Sequence, residues 1–422
     1  MRKIFYIILM LFLVFNLTTE AGKTNKRKLN RTNIAAIYNE KSFIDFGAVI
    51  YHSYEETSKV YLDIPLKNLQ YNSGLKKDTH YAKFNVFYEL YTSYESKSTL
   101  DSGTLVFKDT INYGQDANMI IDFDIKAAFP GEYVLKITLT DLNGRGKESV
   151  FKFFSVSKSN KNSSQNFLLM DKDNYPLFVK HFEEGQYYKI RYNRADVDQI
   201  IIRYYNRKFP IAKTPFAIEK NYTFKFTPDS LYTLPMLEGV TELLKLPYAG
   251  IYHFQSDTTQ TEGFTLYHLD DGFPEIETPL QAILPLRYLT TQKEFEALLK
   301  YQDYKIAVDS FWLERASQQP ERAKNMIAKY YQRVVLANQK FTSYQEGWKT
   351  DRGIIYIIYG PPTEVYRKTN QEQWIYGERG NPLTISFYFD EVENPFTDND
   401  YSLQRSTAFK SSWYIAIENW RR

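Results

Sequence analysis

Apolar and polar residues alternate through much of the first 270 positions, and this alternation limits the folds that the chain can adopt. Between residues 43 and 157, segments such as YAKFNVFYELYTSY, NMIIDFDI and GEYVLKITLTD place an aromatic or β-branched residue at every second position. A period of two predicts antiparallel strands that bury one face. About seven such segments in one stretch favour an immunoglobulin-like β-sandwich over residues 43–157.

The end of this unit also carries a turn signal. In the segment GEYVLKITLTD, residues Leu135, Ile137 and Leu139 would share the core-facing side of a strand. Asn143-Gly144 follows, and both residue types tolerate positive φ. The last two strands are therefore predicted to form a hairpin.

A second β unit is predicted after a polar interruption. The stretch SKSNKNSSQN has nothing to bury, so residues 158–166 are predicted to be a linker. Beyond it, residues 167–270 return to strand-like segments, including FLLMD, DQIIIRYYN and YTFKF. Both units end on a glycine, a tyrosine two positions later, a strand, a polar turn and a last strand, which predicts a second sandwich in tandem.

The period changes to helical in the last part of the chain, residues 271–422. The segment QPERAKNMIAKYYQRVVLANQKF predicts a long amphipathic helix that begins at Pro320, and KEFEALLKY and YKIAVDSFWLERA predict two shorter ones. Strands are predicted at residues 354–359, 364–366, 373–376 and 383–390. Helices followed by a small antiparallel meander make this an α+β domain.

The N-terminus has the layout of an export signal. Residues 4–17 form an apolar run after Met1-Arg2-Lys3, and Ala21 supplies a small residue for cleavage. The run is shorter than the ~20 residues that a membrane span needs, although an uncleaved anchor is the alternative. We therefore predict a signal peptide at residues 1–21 and no integral membrane span after its cleavage.

The composition also limits where an exported protein of this kind could be located. The chain has no cysteine, so it forms no disulfide and offers no cysteine for a lipid anchor. We expect an exported protein, periplasmic or associated with the outer membrane, and not a lipoprotein. Residues 22–42 are predicted to be a solvated basic tether, with contact to anionic lipid as the alternative. The net charge of +3 gives no sign of nucleic-acid binding.

Residues with catalytic or metal-binding chemistry are sparse. The five histidines are scattered through the predicted β units, and no HExxH, GxSxG or P-loop pattern occurs. The segment HLDDG at residues 268–272 could offer metal ligands, but adjacent carboxylates on extended chain point to opposite faces, which favours a turn. DKDN at residues 171–174 lacks the glycine and glutamate of a calcium loop. We predict no catalytic set, no metal site and no cofactor.

The segment GWKTDRG, residues 347–353, is the one candidate site. As a binding site, Lys349 and Arg352 would hold a carboxylate or phosphate, with Asp351 as an acceptor and Trp348 as a stacking wall. As a structural corner, Trp348 would be buried, Thr350 or Asp351 would cap the turn, and Arg352 would pair locally. The structural interpretation is favoured, because an aspartate without a nearby histidine or cysteine makes a poor catalytic set.

Four segments together carry a family resemblance. They are DSFWLERA, YYQRVVLANQKF, EGWKTDRGIIYIIYGPPTEVY and QEQWIYG. With them the chain resembles the GWxTD-domain family of bacterial envelope proteins, of the type found in Bacteroidetes. The resemblance implies a domain that follows a signal sequence and β-rich modules, and it implies no particular reaction.

Two functions follow as expectations. The first is an exported, non-enzymatic scaffold or protein-interaction component of the bacterial cell envelope, with envelope proteins as partners. The alternative is a carbohydrate- or cell-wall-binding, or hydrolytic, protein. It requires a pocket near GWKTDRG in which Lys349, Asp351 or Arg352 meets another acid, such as Glu364 or Glu372.

Overall fold

The computed structural model describes residues 28–39, 46–74, 79–144, 149–182, 185–206, 209–218, 225–269, 272–378 and 380–422. The predicted signal peptide at residues 1–21 lies outside these ranges, as does the Asp270-Asp271 pair of HLDDG. Two β-rich units are followed by a region of helices and a small sheet, so the coarse fold prediction is confirmed. None of the helices in the described ranges has the length and apolarity to cross a membrane.

The first unit has two antiparallel sheets that share one core. One sheet has the order β1-β2-β6; the other runs β3-β4-β7-β8, with β5 paired to β4. Leu62 and Phe123 of the first sheet and Val86 and Ile137 of the second belong to the same buried cluster. The predicted pairing of the last two strands is confirmed, since β7 and β8 are antiparallel neighbours. The strands are β1 Gly47–Tyr51, β2 Ser58–Pro65, β3 Asn72–Ser73, β4 His80–Tyr91, β5 Asp101–Asp109, β6 Asn118–Ile125, β7 Glu132–Asp141 and β8 Ser149–Ser157, with a 3-10 helix at Leu66–Asn68.

The predicted linker at residues 158–166 is a buried polar joint, and the expectation that it has nothing to bury is wrong. The Lys158 ammonium is buried and donates to the carbonyl oxygens of Thr57 at 2.7 Å and Ala127 at 2.8 Å, in the first unit. Asn162 accepts from the Ser256 hydroxyl of the second unit at 2.8 Å. A 3-10 helix at Ser164–Asn166 ends the joint. Its polar side chains satisfy backbone groups, which a count of apolar residues does not reveal.

In its described residues, the second unit is one path of seven hydrogen-bonded strands rather than two separate sheets. Its order is β15-β14-β11-β12-β13-β10-β9. Phe167 of β9 and Phe264 of β15 have ring centroids 5.9 Å apart, so the two ends of the path meet over one core. Of the predicted strand YTFKF, residues 222–224 lie outside the described ranges. The strands are β9 Phe167–Met170, β10 Lys189–Tyr192, β11 Gln199–Tyr205, β12 Ser230–Leu237, β13 Val240–Thr241, β14 Gly250–Gln255 and β15 Phe264–His268.

In its described residues, the C-terminal region has six α-helices and a four-stranded antiparallel sheet of order β16-β17-β18-β19. The long predicted helix is confirmed, with Pro320 in its first turn. The helices are α1 Pro279–Ile283, α2 Gln292–Leu298, α3 Tyr304–Arg315, α4 Pro320–Phe341, α5 Asp351–Tyr359 and α6 Phe409–Arg421, with 3-10 helices at Leu284–Tyr288 and Gly347–Lys349. The strands are β16 Glu364–Lys368, β17 Gln371–Tyr376, β18 Ile385–Glu391 and β19 Tyr401–Leu403.

The predicted strand at residues 354–359 is wrong, because these residues belong to helix α5. Their β-branched and aromatic side chains favour a strand by local propensity. However, α5 is buried on nearly all sides, from Arg352 to Ile358. A short apolar run that is buried all round does not show whether it is a helix or a strand. In the structure α5 packs against α4.

The described part of the predicted tether, residues 28–39, is packed and not solvated. Leu29, Ile34, Ala35 and Tyr38 are buried in the core of the C-terminal region. Two 3-10 helices, Leu29–Arg31 and Ala35–Tyr38, shape this segment. The prediction followed the basic residues at its start and overlooked the apolar positions behind them. Its remaining residues, 22–27 and 40–42, lie outside the described ranges.

Candidate functional site

The GWKTDRG segment connects α4 to α5, and Thr350 fixes the geometry of the connection. The Thr350 hydroxyl donates to the Gly347 carbonyl oxygen at 2.8 Å and accepts from the Gly353 amide at 3.1 Å. Thr350 is thus the N-cap of α5, as one of the two predicted caps. Asp351 is the first residue of the helix and is not the cap.

Both glycines of the segment allow backbones to touch. A Cβ atom at Gly347 would lie 1.9 Å from the carbonyl oxygen of Ala337 in α4. A Cβ atom at Gly353 would lie 1.8 Å from the carbonyl oxygen of Gly347. These approaches leave no room for any side chain, so the two glycines bring α4, the 3-10 helix and α5 into contact.

Trp348 anchors the corner from inside. Its side chain is buried, and the Tyr288 ring meets it edge-on with centroids 6.2 Å apart. Its backbone amide donates to Asn338 Oδ1 of α4 at 3.1 Å, and its carbonyl accepts from the Tyr288 hydroxyl at 3.1 Å. The predicted burial of Trp348 is confirmed, and this ring borders a separate cavity of only about 20 Å³.

Asp351 forms a two-point ion pair with Arg405. Its carboxylate oxygens accept from the two terminal guanidinium nitrogens at 2.5 and 2.9 Å. Asp351 Oδ2 also accepts from the backbone amide of Leu403, in β19, at 2.7 Å. The carboxylate therefore attaches the start of α5 to the last strand of the sheet, a geometry that favours strong charge-assisted hydrogen bonds.

Lys349 pairs with Glu346, three positions earlier. Their Nζ and Oε1 atoms are 2.6 Å apart, and the ammonium also lies 5.3 Å from the centre of the Trp348 ring. The lysine side chain keeps 23 % of its surface exposed, more than any other charged side chain of the corner. It is the residue of the segment that solvent or a ligand can reach most easily.

Arg352 is buried, and its partner is distant in sequence. Its guanidinium lies 3.3 Å from Glu372 Oε2 and donates to the Asn399 carbonyl oxygen at 3.0 Å and to the Asn399 side chain. It also stacks over the ring of Tyr401, 4.0 Å from the centroid. The prediction of a local pair is wrong, because Glu372 is on β17, across the core from α5.

Glu372 collects donors from four residues. Besides Arg352, it accepts from Arg367 at 2.8 Å, from the Tyr38 hydroxyl at 2.5 Å and from the Trp374 indole at 2.7 Å. Burial would raise the pKa of its carboxyl, but the two arginines and the hydrogen bonds outweigh burial and lower this pKa to about 2. Glu372 is a fully buried carboxylate whose charge is neutralised inside the protein.

An open cleft of about 300 Å³ lies beside the corner. One wall is the loop at residues 209–218 of the second β unit, whose Ala212 amide donates to the Lys349 carbonyl oxygen at 2.7 Å. Lys349 and Asp351 line this cleft, whereas Arg352 is buried behind it. The other polar and aromatic lining residues are Lys213, Tyr344, Gln345, Thr350, Asp400, Tyr401, Ser402 and Arg405.

The weaker candidates take ordinary structural roles where they are described. Asp171 accepts from the amides of Asp173 and Tyr175 at 2.9 Å each, which makes DKDN a turn. His52 and His253 are buried, and burial lowers the pKa of each to about 4. Within the described ranges, no three histidine, aspartate or glutamate side chains form a group suited to a metal ion.

The sequence pointed to the GWKTDRG segment but did not reveal most of the residues that its side chains contact. Arg405 and Tyr38 carry no local signal, since they meet the corner only through the tertiary fold. Glu372 lies in the QEQWIYG segment, and the sequence predicts it only as a possible second acid of a pocket. Arg352 and Glu372 do come together, but inside the core and not in the cleft.

Comparison with known proteins identifies the C-terminal part of the chain. Residues 250–422 match the family model described as the GWxTD domain. The match begins at β14, within the second β unit, and so starts earlier than the predicted boundary at residue 271. No protein with curated annotation matches the chain.

Proposed function

Because the C-terminal part of the chain is a GWxTD domain, we propose that the protein is an exported, non-enzymatic scaffold or protein-interaction component of the bacterial cell envelope. Export rests on the signal sequence at residues 1–21, and the absence of cysteine argues against a lipid anchor. The partners would be other envelope proteins, in the periplasm or at the outer membrane.

The proposal rests mainly on one observation: each charged side chain of the GWKTDRG segment is paired with another side chain of the protein. Lys349 is paired with Glu346, Asp351 with Arg405, and Arg352 with Glu372. A catalytic acid or base needs a pKa near the working pH and access to a substrate. Glu372 has neither, since its pKa is about 2 and its side chain is fully buried. The signature segment therefore supports a role in building the domain.

A scaffold role is also supported by how the units are joined. The buried joint at residues 158–166 bonds to both β units, and the loop at residues 209–218 bonds to the GWxTD domain. Such polar, interlocked connections hold surfaces in a fixed relation, in contrast to a flexible linker. We further propose that the first β unit, with its two sheets around one core, is an immunoglobulin-like module, a fold that often serves in recognition.

Cross-linking in intact cells followed by purification of the tagged full chain tests the proposal. We expect one or a few envelope proteins to be recovered reproducibly, with cross-links on the β units or on the outer face of the GWxTD domain. A strictly monomeric protein without reproducible cross-linked partners would count against the scaffold role.

A second candidate function is favoured by one observation, the cleft beside the corner. Its volume, its tyrosines and its mixed acidic and basic lining are features of sites that bind small polar ligands such as carbohydrate or cell-wall fragments. Soluble peptidoglycan fragments titrated into the full chain should then bind in the cleft, in contact with Lys349. In that case Lys349→Ala would weaken binding, while Lys410→Ala, an exposed lysine of α6, would not. If the two variants bound the fragments with equal affinity, the cleft would be excluded as the binding site.

A further inference from the structure

The GWxTD domain is completed by a segment from the other end of the chain. Residues 28–39 lie against it, and Leu29, Ile34, Ala35 and Tyr38 are each at most 6 % exposed. The family match at residues 250–422 does not include this segment. A core that is closed by a distant segment implies a groove in the domain that this segment fills.

One side of the groove is the edge of the four-stranded sheet. The Ile34 amide donates to the Val365 carbonyl oxygen of β16 at 2.9 Å, and the Val365 amide donates to Asn33 Oδ1 at 2.9 Å. β16 is the first strand in the sheet order. The segment thus satisfies backbone groups that an edge strand leaves open, which is the chemistry of peptide recognition at a sheet edge.

The other side of the groove recognises Tyr38. Its ring packs against Phe341 and Trp374, with centroids 5.4 and 5.2 Å away, and its hydroxyl donates to Glu372 at 2.5 Å. Backbone contacts hold the same stretch, since the Tyr356 hydroxyl donates to the Tyr38 carbonyl oxygen at 2.7 Å. A buried carboxylate that accepts one phenolic hydroxyl distinguishes tyrosine from phenylalanine.

We infer that the GWxTD domain of this protein is a peptide-docking module and that residues 28–39 are its built-in ligand, read through Ile34, the Asn33 side chain and the Tyr38 hydroxyl. The occupant is this chain's own segment. Docking joins the part of the chain next to the export signal to its last domain, and it goes beyond the proposed scaffold function because it concerns an internal site. It is independent of which partners the outer surfaces bind.

The test uses the full chain with residues 40–45 replaced by a longer flexible linker that carries a specific protease site. After folding, the linker is cut and the protein is passed through a gel-filtration column under native conditions. The N-terminal fragment should co-elute with the remainder. A fluorescent peptide with the sequence of residues 28–39 should exchange into the groove over time, and unlabelled peptide should compete with it.

Point variants of the peptide decide whether the observed contacts carry recognition. Tyr38→Phe removes only the hydroxyl, and loss of a hydrogen bond to a charged group should weaken binding by about 10- to 100-fold. Tyr38→Ala should abolish detectable binding, whereas Asn39→Ala, at an exposed position, should bind like the parent peptide. The inference is overturned if the cut fragment separates at once while the tryptophan fluorescence of the domain stays unchanged. Equal binding of the parent and Tyr38→Ala peptides would overturn it as well.

Discussion

For the substitution of Gly353 by alanine, local helix propensity and tertiary geometry predict opposite signs of the change in the free energy of unfolding. Gly353 lies in the first turn of α5, where alanine would stabilise an isolated helix by up to about 1 kcal/mol. In the folded protein the new Cβ atom would lie 1.8 Å from the Gly347 carbonyl oxygen. Because carbon and oxygen atoms do not approach closer than about 3 Å, the start of α5 would have to move by more than 1 Å.

That movement has a cost that follows from the contacts it disturbs. Overpacking a close contact costs about 1–3 kcal/mol, and loss of the Thr350 cap costs about 0.5–2 kcal/mol. We therefore expect Gly353→Ala to lower the free energy of unfolding by about 1.5–5 kcal/mol. Displacement of Arg352 from Glu372 would add to this loss.

Urea unfolding followed by tryptophan fluorescence is a suitable assay, because all five tryptophans lie at position 312 or later and report on the GWxTD domain. Gly144→Ala is the control, since the nearest atom to its Cβ would be 3.7 Å away. The control should leave the fluorescence transition unchanged. An unchanged or raised stability of Gly353→Ala would refute the close-contact explanation of the corner.

Further predictions concern the same domain. Trp348→Ala should lower the free energy of unfolding by about 3–5 kcal/mol, as truncation of a buried aromatic residue does, in the same urea assay. Glu372→Ala should cost about 3–5 kcal/mol because it leaves the buried Arg352 and the partly buried Arg367 without their carboxylate, whereas Glu393→Ala, at an exposed position, should cost less than about 0.5 kcal/mol. Glu372 and Glu294 both have a pKa lowered from 4.5 to about 2, so the stability that they contribute is complete above pH 4.5 and is lost as the pH falls towards 2. Acid unfolding curves should show this loss, and Glu372→Gln should reduce the slope. A pH-independent stability between these values would contradict the assigned ionisation.

The β-rich organisation could be predicted from the sequence because apolar and polar residues alternate within each single strand. β6 and β7 coincide closely with the segments NMIIDFDI and GEYVLKITLTD, and α4 begins at its predicted proline. Helix α5 was not predicted because its residues favour strands locally, whereas its packing against α4 and β19 depends on the tertiary fold. Residues 28–39 were missed for a related reason, since their partners are more than 300 positions away.

The candidate site shows the same division between local and tertiary information. Local chemistry predicted Trp348 as a buried anchor and either Thr350 or Asp351 as the cap; in the structure Trp348 is buried and Thr350 is the cap. The partners of Asp351 and Arg352 could not be predicted from spacing, because Arg405 and Glu372 lie on other elements of the fold. The close contacts at Gly347 and Gly353 likewise depend on how two helices approach each other.

The thermal unfolding of Arg352→Met tests most directly whether the GWKTDRG segment serves the fold or a ligand. Arg352 was a candidate binding residue, yet its side chain is only 2 % exposed and pairs with Glu372. Breaking this buried pair should cost about 3–5 kcal/mol. At about 2–4 °C per kcal/mol for a domain of this size, the melting temperature of the tryptophan-containing domain should fall by roughly 6–20 °C. A variant that melts at the parent temperature but no longer binds a partner or ligand would contradict the structural role.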